Sequence, residues 1–442
     1  MFDIDQFARR WDLPLHTPGG RDVKSGRMAI DHAGHSLARA SLDNCIKCTI
    51  CETMCPVAAV TDAFPGPKYV GPQAERYRHG LSVDNSIDYC SSCGTCTRVC
   101  PQGVKVAELN NQTRAVMRHQ QGRIPMRDRI ITNTTLMGQV MTPIAPIANA
   151  ALANSAVRYA VEKTVGIHRD APMPQATTLS LRKWLATREP AGRTLEPPGS
   201  RGPLVFFHGC AGGYFEVQTS IRAIEVLEYL GYEVIVPKQG CCGLAAQSNG
   251  LYGQATASLL ALCEQLRNAG SGLTIVSSSG SCAGMLKHEA HEIMGVDAEE
   301  LRDVSVRTME LSEFLRDLLD ADQLPTPTTR LEMEVAYHAP CQLKNQAMGL
   351  PAVDVMKVIP GLRVVESGLA CCGIAGTYGL KKEKFEVAQA VGKPLFEMVN
   401  AVNPSLAVCD TETCRWQIEQ SSGVRTVHPI WMLHAAYGLS EL

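Results

Sequence analysis

Net charge is the first thing this sequence lacks. Over 442 residues, 42 Lys and Arg stand against 44 Asp and Glu, a formal charge of −2. That balance offers no electrostatic case for nucleic-acid binding. An export signal is missing too, because the N-terminal stretch MFDIDQFARRWDLP is charged and has no apolar core. The expected setting is a reducing cytoplasm. No uninterrupted apolar run reaches the length of a transmembrane helix. Residues 130–157 carry no charge, yet Asn133, Gln139, Pro143, Pro146, Asn149 and Asn154 make the stretch too polar and too broken to span a bilayer. A dinucleotide loop is also absent, since GCAGG at 209–213 lacks the G-x-G-x-x-G order and reads as a turn. What remains is a soluble globular composition, 45% hydrophobic and 19% charged, long enough for roughly two to four domains.

What is abundant is cysteine, 18 in all. In a reducing compartment clustered cysteines bind metal or do redox work. Eight of them form two runs, Cys45-x2-Cys48-x2-Cys51-x3-Cys55-Pro56 and Cys90-x2-Cys93-x2-Cys96-x3-Cys100-Pro101. A cubane cluster needs four thiolates converging on one small cube, and a cysteine at every third residue of a tight loop supplies three. The fourth cysteine of each run serves the other cluster. The expected ligand sets for two [4Fe–4S] clusters are therefore Cys45, Cys48, Cys51 and Cys100, and Cys90, Cys93, Cys96 and Cys55. Structural zinc is the alternative, but zinc sites pair two CxxC halves across a longer loop. Two cubanes pass single electrons and have no substrate of their own, so this part predicts a wire.

The chain changes character at 187–203, TREPAGRTLEPPGSRGP, which reads as a linker. Beyond it HGC (208–210), GCCG (240–243) and SGSC (279–282) recur as HAPC (338–341), ACCG (370–373) and TETC (411–414). The cysteines repeat at offsets of 130 to 132 residues, which marks an internal duplication. Each copy alternates short apolar strands (204–207, 233–237 and 274–277; 335–338, 363–366 and 406–409) with helices (216–230 and 252–269; 353–358 and 382–402). That alternation predicts parallel sheets, with the cysteine loops gathered at the strands' carboxyl ends.

The Cys…CysCysGly…CysxxCys arrangement resembles the cysteine-rich "CCG" domain. That family includes the B subunit of heterodisulfide reductase and the iron–sulfur subunits of glycolate, lactate and glycerol-3-phosphate oxidation. The resemblance implies noncubane [4Fe–4S] clusters, each held by five cysteines. Both copies depart from the pattern. Ser279 stands at the penultimate cysteine position of the first, leaving Cys210, Cys241, Cys242 and Cys282. Thr411 stands there in the second, leaving Cys341, Cys371, Cys372 and Cys414, with Cys409 a candidate displaced fifth ligand. Three readings remain open: four-cysteine clusters, with Ser279 oxygen joining the first; a retained fold without clusters; or transient disulfide or zinc chemistry. His208 and His338 precede the first cysteines and are read as hydrogen-bonded strand ends rather than ligands. Cys263, in ASLLALCEQL, reads as a core thiol.

A narrower resemblance rests on NCIKCTICETMCPV, FPGPKYVGPQAERYR, TLMGQVMTPIAPIANAA, VFFHGC, YHAPCQ, CCGIAGTYGLKKEKF and ETCRWQIE. Together, from about residue 44 onward, they are similar to the C-subunit family of anaerobic glycerol-3-phosphate dehydrogenases. That likeness implies an electron-transfer subunit of an oxidoreductase complex in anaerobic respiration, itself without a catalytic residue. Flavin-containing dehydrogenase subunits would donate electrons and membrane quinone would accept them. The subunit would sit as a peripheral protein on the cytoplasmic face of the inner membrane. The alternatives are a heterodisulfide-reductase-like catalytic subunit or the iron–sulfur subunit of a lactate or glycolate oxidation complex.

The expected fold class is thus a multidomain α+β and α/β chain. Residues 1–43 form an N-terminal extension and 44–125 an α-helical ferredoxin-type two-cluster domain. Residues 126–203 form a connector, followed by CCG domains at 204–325 and 330–442 with parallel sheets. Residues 105–200 hold 13 Lys and Arg against 6 Asp and Glu. This basic surplus brackets the uncharged segment. It suits a patch lying on an anionic leaflet, or equally a helical segment packed on the body or a partner.

Overall fold

The computed structural model describes residues 38–73, 85–188 and 194–442. The N-terminal extension before residue 38 lies outside them. In the first repeat, β1 (Pro203–Phe207), β2 (Glu233–Ile235), β3 (Ile275–Ser277) and β4 (Thr308–Glu310) form a parallel sheet in the order β2-β1-β3-β4. In the second, β5 (Met333–Tyr337), β6 (Leu362–Glu366), β7 (Leu406–Val408) and β8 (Thr426–Val427) repeat that order as β6-β5-β7-β8. The fourth strands, three and two residues long, add to the three expected in each copy.

Burial explains why these strands are near-continuous apolar runs. Along β1, Leu204 and Phe206 enter a core shared with Val335, Tyr337 and Val408 of the second repeat. Val205 and Phe207 point the other way, into a core built on the helix Tyr252–Ala269. Cys263 is fully buried in that second core, as its apolar surroundings suggest. The shared core fuses the repeats. Burying each phenylalanine side chain there is worth about 1.5–3 kcal/mol.

In both sheets the order in which strands are added switches sides at the central parallel pair, β1/β3 and β5/β7. A crevice opens there at the carboxyl ends, where doubly wound sheets take ligands. The helix Val106–Gln121 ties the N-terminal third to the repeats. Its Ala107 and Leu109 pack with the first cysteine loop, Met117 packs with Cys55 and Cys90, and Ala115 and Val116 enter the first repeat's core.

The connector corrects one expectation. Pro143 and Pro146 do not break it, because each falls in the first turn of a helical piece, where proline costs no hydrogen bond. Thr134–Ala153 is one helical run of 20 residues with mean hydropathy 1.2, long and apolar enough by those measures to cross a membrane. Here one edge of it lies along the body. Met137, Met141 and Ala145 pack with Tyr214, Phe215 and Trp416, and Gly138 leaves room for the Tyr214 ring.

Candidate functional site

The spacing of the two cysteine runs works through backbone hand. Lys47 and Thr49 in the first loop adopt left-handed φ values of 61° and 68°. Ser92 and Gly94 do the same at the equivalent positions of the second, at 59° and 76°. Two left-handed residues flanking the second cysteine coil each loop so that its sulfurs converge. A non-glycine residue in that region costs about 1–3 kcal/mol and persists where the surroundings over-determine it.

The structure brings Cys45, Cys48, Cys51 and Cys100 around one cavity. It brings Cys90, Cys93, Cys96 and Cys55 around another. Burial pushes the Cys51 thiol up to about 11, with Glu52, Cys100, Cys45 and Cys48 adding to the rise. Burial likewise lifts Cys55 to about 12, against the Ala58 N–H and with help from Cys93 and Cys90. Four thiolates so placed repel one another and need a cationic centre to coexist. Soft thiolates converging in one loop fit an iron–sulfur cluster.

In the repeats the cysteines form contiguous chains. Cys210 contacts Cys241, Cys241 contacts Cys242, and Cys242 Sγ lies 3.3 Å from Cys282 Sγ. Cys341 contacts Cys371 and Cys371 contacts Cys372. Cys372 Sγ is 2.9 Å from Cys414 Sγ, and Cys414 contacts Cys409. The second set therefore gathers five sulfurs and the first gathers four. Burial opposes ionisation of Cys372, but hydrogen bonds from Cys371 and Cys414 outweigh it and bring its pKa to about 6.

Ser279 is engaged elsewhere. Its Oγ accepts the Cys282 N–H, capping a short helix, and donates to Glu412 at 3.1 Å. The histidines behave as strand ends: His208 Nδ1 meets the Gly209 carbonyl at 2.5 Å and His338 Nδ1 meets Ser367 Oγ at 3.0 Å. Burial lowers them to about 4 and about 3, so both are neutral.

The two sets open onto one chamber. Cys210, Cys241, Cys242 and Cys282 line one part, and Cys341, Cys372 and Cys414 another. Ser91 and Ser92 of the second cysteine loop border it, and the connector supplies Ile130, Ile131, Met137 and Met173. Nothing in the residue pattern assigned the connector to this wall. Sequence reading also missed the polar joints that hold the chamber's halves together. Glu216 of the first repeat accepts from Arg415 at 3.0 Å and from Trp416 at 2.7 Å. The ETCRWQIE stretch carried that signal.

Glu310, Asp410 and His428 form a further buried group, with one candidate ligand atom each within 4.8 Å of the others. Glu310 caps the helix Leu311–Asp320, and His428 Nδ1 accepts the Ile430 N–H at 3.1 Å. That bond puts the ring proton on Nε2, making it a donor rather than a metal ligand. Asp410 joins the two sheets, accepting from Tyr337 at 2.8 Å and from Ser312 of the first repeat at 3.3 Å.

Comparison with known proteins agrees with this layout. A 4Fe-4S dicluster domain model matches residues 41–104. A cysteine-rich domain model matches residues 204–287 and again 335–419. The chain is therefore a [4Fe–4S] cluster-binding protein that joins a dicluster domain to two cysteine-rich domains. Within that class it belongs to the C-subunit family of anaerobic glycerol-3-phosphate dehydrogenase. It is 35% identical over 402 residues to the C subunit of that enzyme from Escherichia coli (strain K12), covering 90% of this chain and 98% of the relative. The B subunit of the fumarate reductase (CoM/CoB) of Methanothermobacter marburgensis is 26% identical over 90% of this chain and 72% of its own length. The glycolate oxidase iron-sulfur subunit of Escherichia coli (strain K12) is 23% identical over 90% and 95%.

Proposed function

We propose that this chain is the electron relay between a flavin-bearing glycerol-3-phosphate dehydrogenase and membrane quinone. Oxidation of glycerol 3-phosphate to dihydroxyacetone phosphate releases two electrons and two protons, and reduction of quinone to quinol consumes two of each. The relay handles only the electrons, one at a time. Bound [4Fe–4S] clusters supply that one-electron chemistry. The chain's residues hold them: Cys45, Cys48, Cys51 and Cys100 for one, Cys90, Cys93, Cys96 and Cys55 for the other. The second repeat's five sulfurs suit a third, noncubane cluster.

The observation that carries this reading is the shared chamber. Cysteines of both repeats face it beside the second cubane loop, and its outer wall is apolar connector. A lipophilic acceptor suits that lining. The same connector turns Leu136, Val140 and Ile147 outward, the last 72% exposed. Such a face on an otherwise soluble body suits peripheral attachment to a bilayer. Charge contributes less than the basic surplus suggests, because Arg127 pairs with Glu383 and Arg158 donates to the carbonyls of 168, 169 and 171. Arg123 and Arg129 remain exposed.

The test is reconstitution with the flavoprotein subunits in quinone-containing vesicles. Glycerol 3-phosphate should drive quinone reduction only when this chain is present. Reduction at the same rate without it would refute the relay. A second reading, disulfide reduction at the second repeat, is favoured by its five contiguous sulfurs. Turnover of a disulfide to two thiols by the chain supplied with dithionite as the two-electron source, abolished by Cys372→Ser, would support that alternative.

A further inference from the structure

The two cysteine loops of the N-terminal third differ in what covers them, and the difference gives the relay a direction. At the first loop Cys48 is exposed, and Cys45, Cys51 and Cys100 are half-buried. It is the one exposed cysteine of the eighteen. Around it Ile46, Met54 and Ile50 stand 63%, 53% and 39% exposed. Among the described residues these three large apolar side chains, within six positions of an exposed sulfur, belong to no core cluster, and such patches mark contact surfaces.

The second loop is walled in. Cys55, Cys90, Cys93 and Cys96 are all buried. Arg98 donates to Asn345 of the second repeat, whose side chain lies against Gly94. Arg114 donates to the Cys90 carbonyl and, at 2.8 Å, to the Ser248 carbonyl. Ser91 and Ser92, between Cys90 and Cys93, line the chamber that Cys341, Cys372 and Cys414 also line. The second quartet therefore faces the second repeat's cysteines, and the first faces outward.

We infer that the Ile46, Ile50 and Met54 surface around Cys48 is where the flavin-bearing dehydrogenase partner docks. Electrons then pass from the first quartet to the second and on to the Cys341–Cys414 set. This rests on the proposed function. Electron transfer weakens steeply with distance, so a donor must approach an exposed quartet, and the first is the one that offers itself. For each substrate oxidised, two electrons cross this contact singly. The two protons leave on the donor's side, and quinone takes up two electrons and two protons at the far end. A contact that passes only electrons needs closeness and no polar path, which an apolar patch provides.

The experiment compares the assembled complex carrying wild-type chain, the double variant Ile46→Glu with Met54→Glu, and a control, Val306→Glu. Val306 is 84% exposed in the first repeat, on the helix Glu299–Arg307. Placing charge at two central contact residues should weaken assembly with the flavoprotein about tenfold or more. Cluster reduction by glycerol 3-phosphate should slow in parallel. Dithionite should still give the wild-type EPR intensity, and the control should match wild type. Unchanged assembly and unchanged reduction in the double variant would overturn the docking assignment alone. So would a variant that splits a dimer of this chain while the donor still binds. If glycerol 3-phosphate leaves the wild-type clusters oxidised, the donor is wrong, and the proposed function falls with the assignment.

Discussion

The two cysteine-rich repeats share a strand order and a cysteine spacing, but their surroundings differ. In the second, five sulfurs are buried and contiguous. In the first, Cys210 and Cys241 are half-buried, and Ser277 stands at the place of Cys409. Ser279, at the place of Thr411, gives its hydroxyl to Glu412 of the other copy. The second repeat is also bolted to its neighbours. Lys384 Nζ lies 2.8 Å from Asp88 Oδ2 of the cubane domain, and Lys381 Nζ lies 3.1 Å from Asp128 Oδ1 of the connector and 2.6 Å from Asn249 of the first repeat. Duplication preserved the frame, while the sites diverged according to what each half faces.

Six substitutions probe that contrast. Cys414→Ser should have the largest effect, lowering iron by about four atoms per chain and stopping quinone reduction. Cys282→Ser should lower iron less. Equal losses by iron and labile-sulfide assay would erase the difference between repeats. Next in size, Lys384→Met leaves the half-buried Asp88 with Arg118 as its remaining partner. The loss should fall between the cost of an exposed pair and the roughly 3–5 kcal/mol of a fully buried one, about 2 kcal/mol, readable as a lower denaturant midpoint. A drop under about 1 kcal/mol, the range of an exposed pair, would mean that the second repeat is held by packing alone.

The glycines after the cysteine pairs give a graded test of similar size. Gly243 and Gly373 have φ of 87° and 89°. A Cβ at Gly243 would sit 2.6 Å from the Ala255 carbonyl oxygen, and at Gly373 it would press still closer on that of Ala388. Alanine should cost about 2 kcal/mol at Gly243 and more at Gly373, from strain and overpacking together. Thermal melts showing the reverse order would sink the reading that the second copy is the tighter. Smallest of all, Ser279→Ala removes a cap and one hydrogen bond, costing about 1 kcal/mol with iron unchanged. Iron loss in that variant would restore Ser279 as a ligand.

Much of the site was legible because its signals are local. A cysteine every third residue can only coil into a converging loop, so the grouping of the eight N-terminal sulfurs was readable from spacing. Cys409, two residues from the expected position, was readable as a candidate for the same reason. Other features were not. Arg114 and Lys384 belong to elements far apart in the chain, and each alone reads as a helical surface charge. Pro143 and Pro146 looked like breaks, because their place in the first turn of a helix depends on where the preceding helix ends.

By itself the sequence determined the metal chemistry, the duplication and the alternation of strand and helix. Each follows from residue type at short, regular spacing, where covalent geometry leaves little choice. Only the tertiary structure decided which quartet faces water, that both repeats open onto one chamber, and that the connector walls it. Those outcomes depend on how distant apolar faces are buried against one another, which no local spacing encodes.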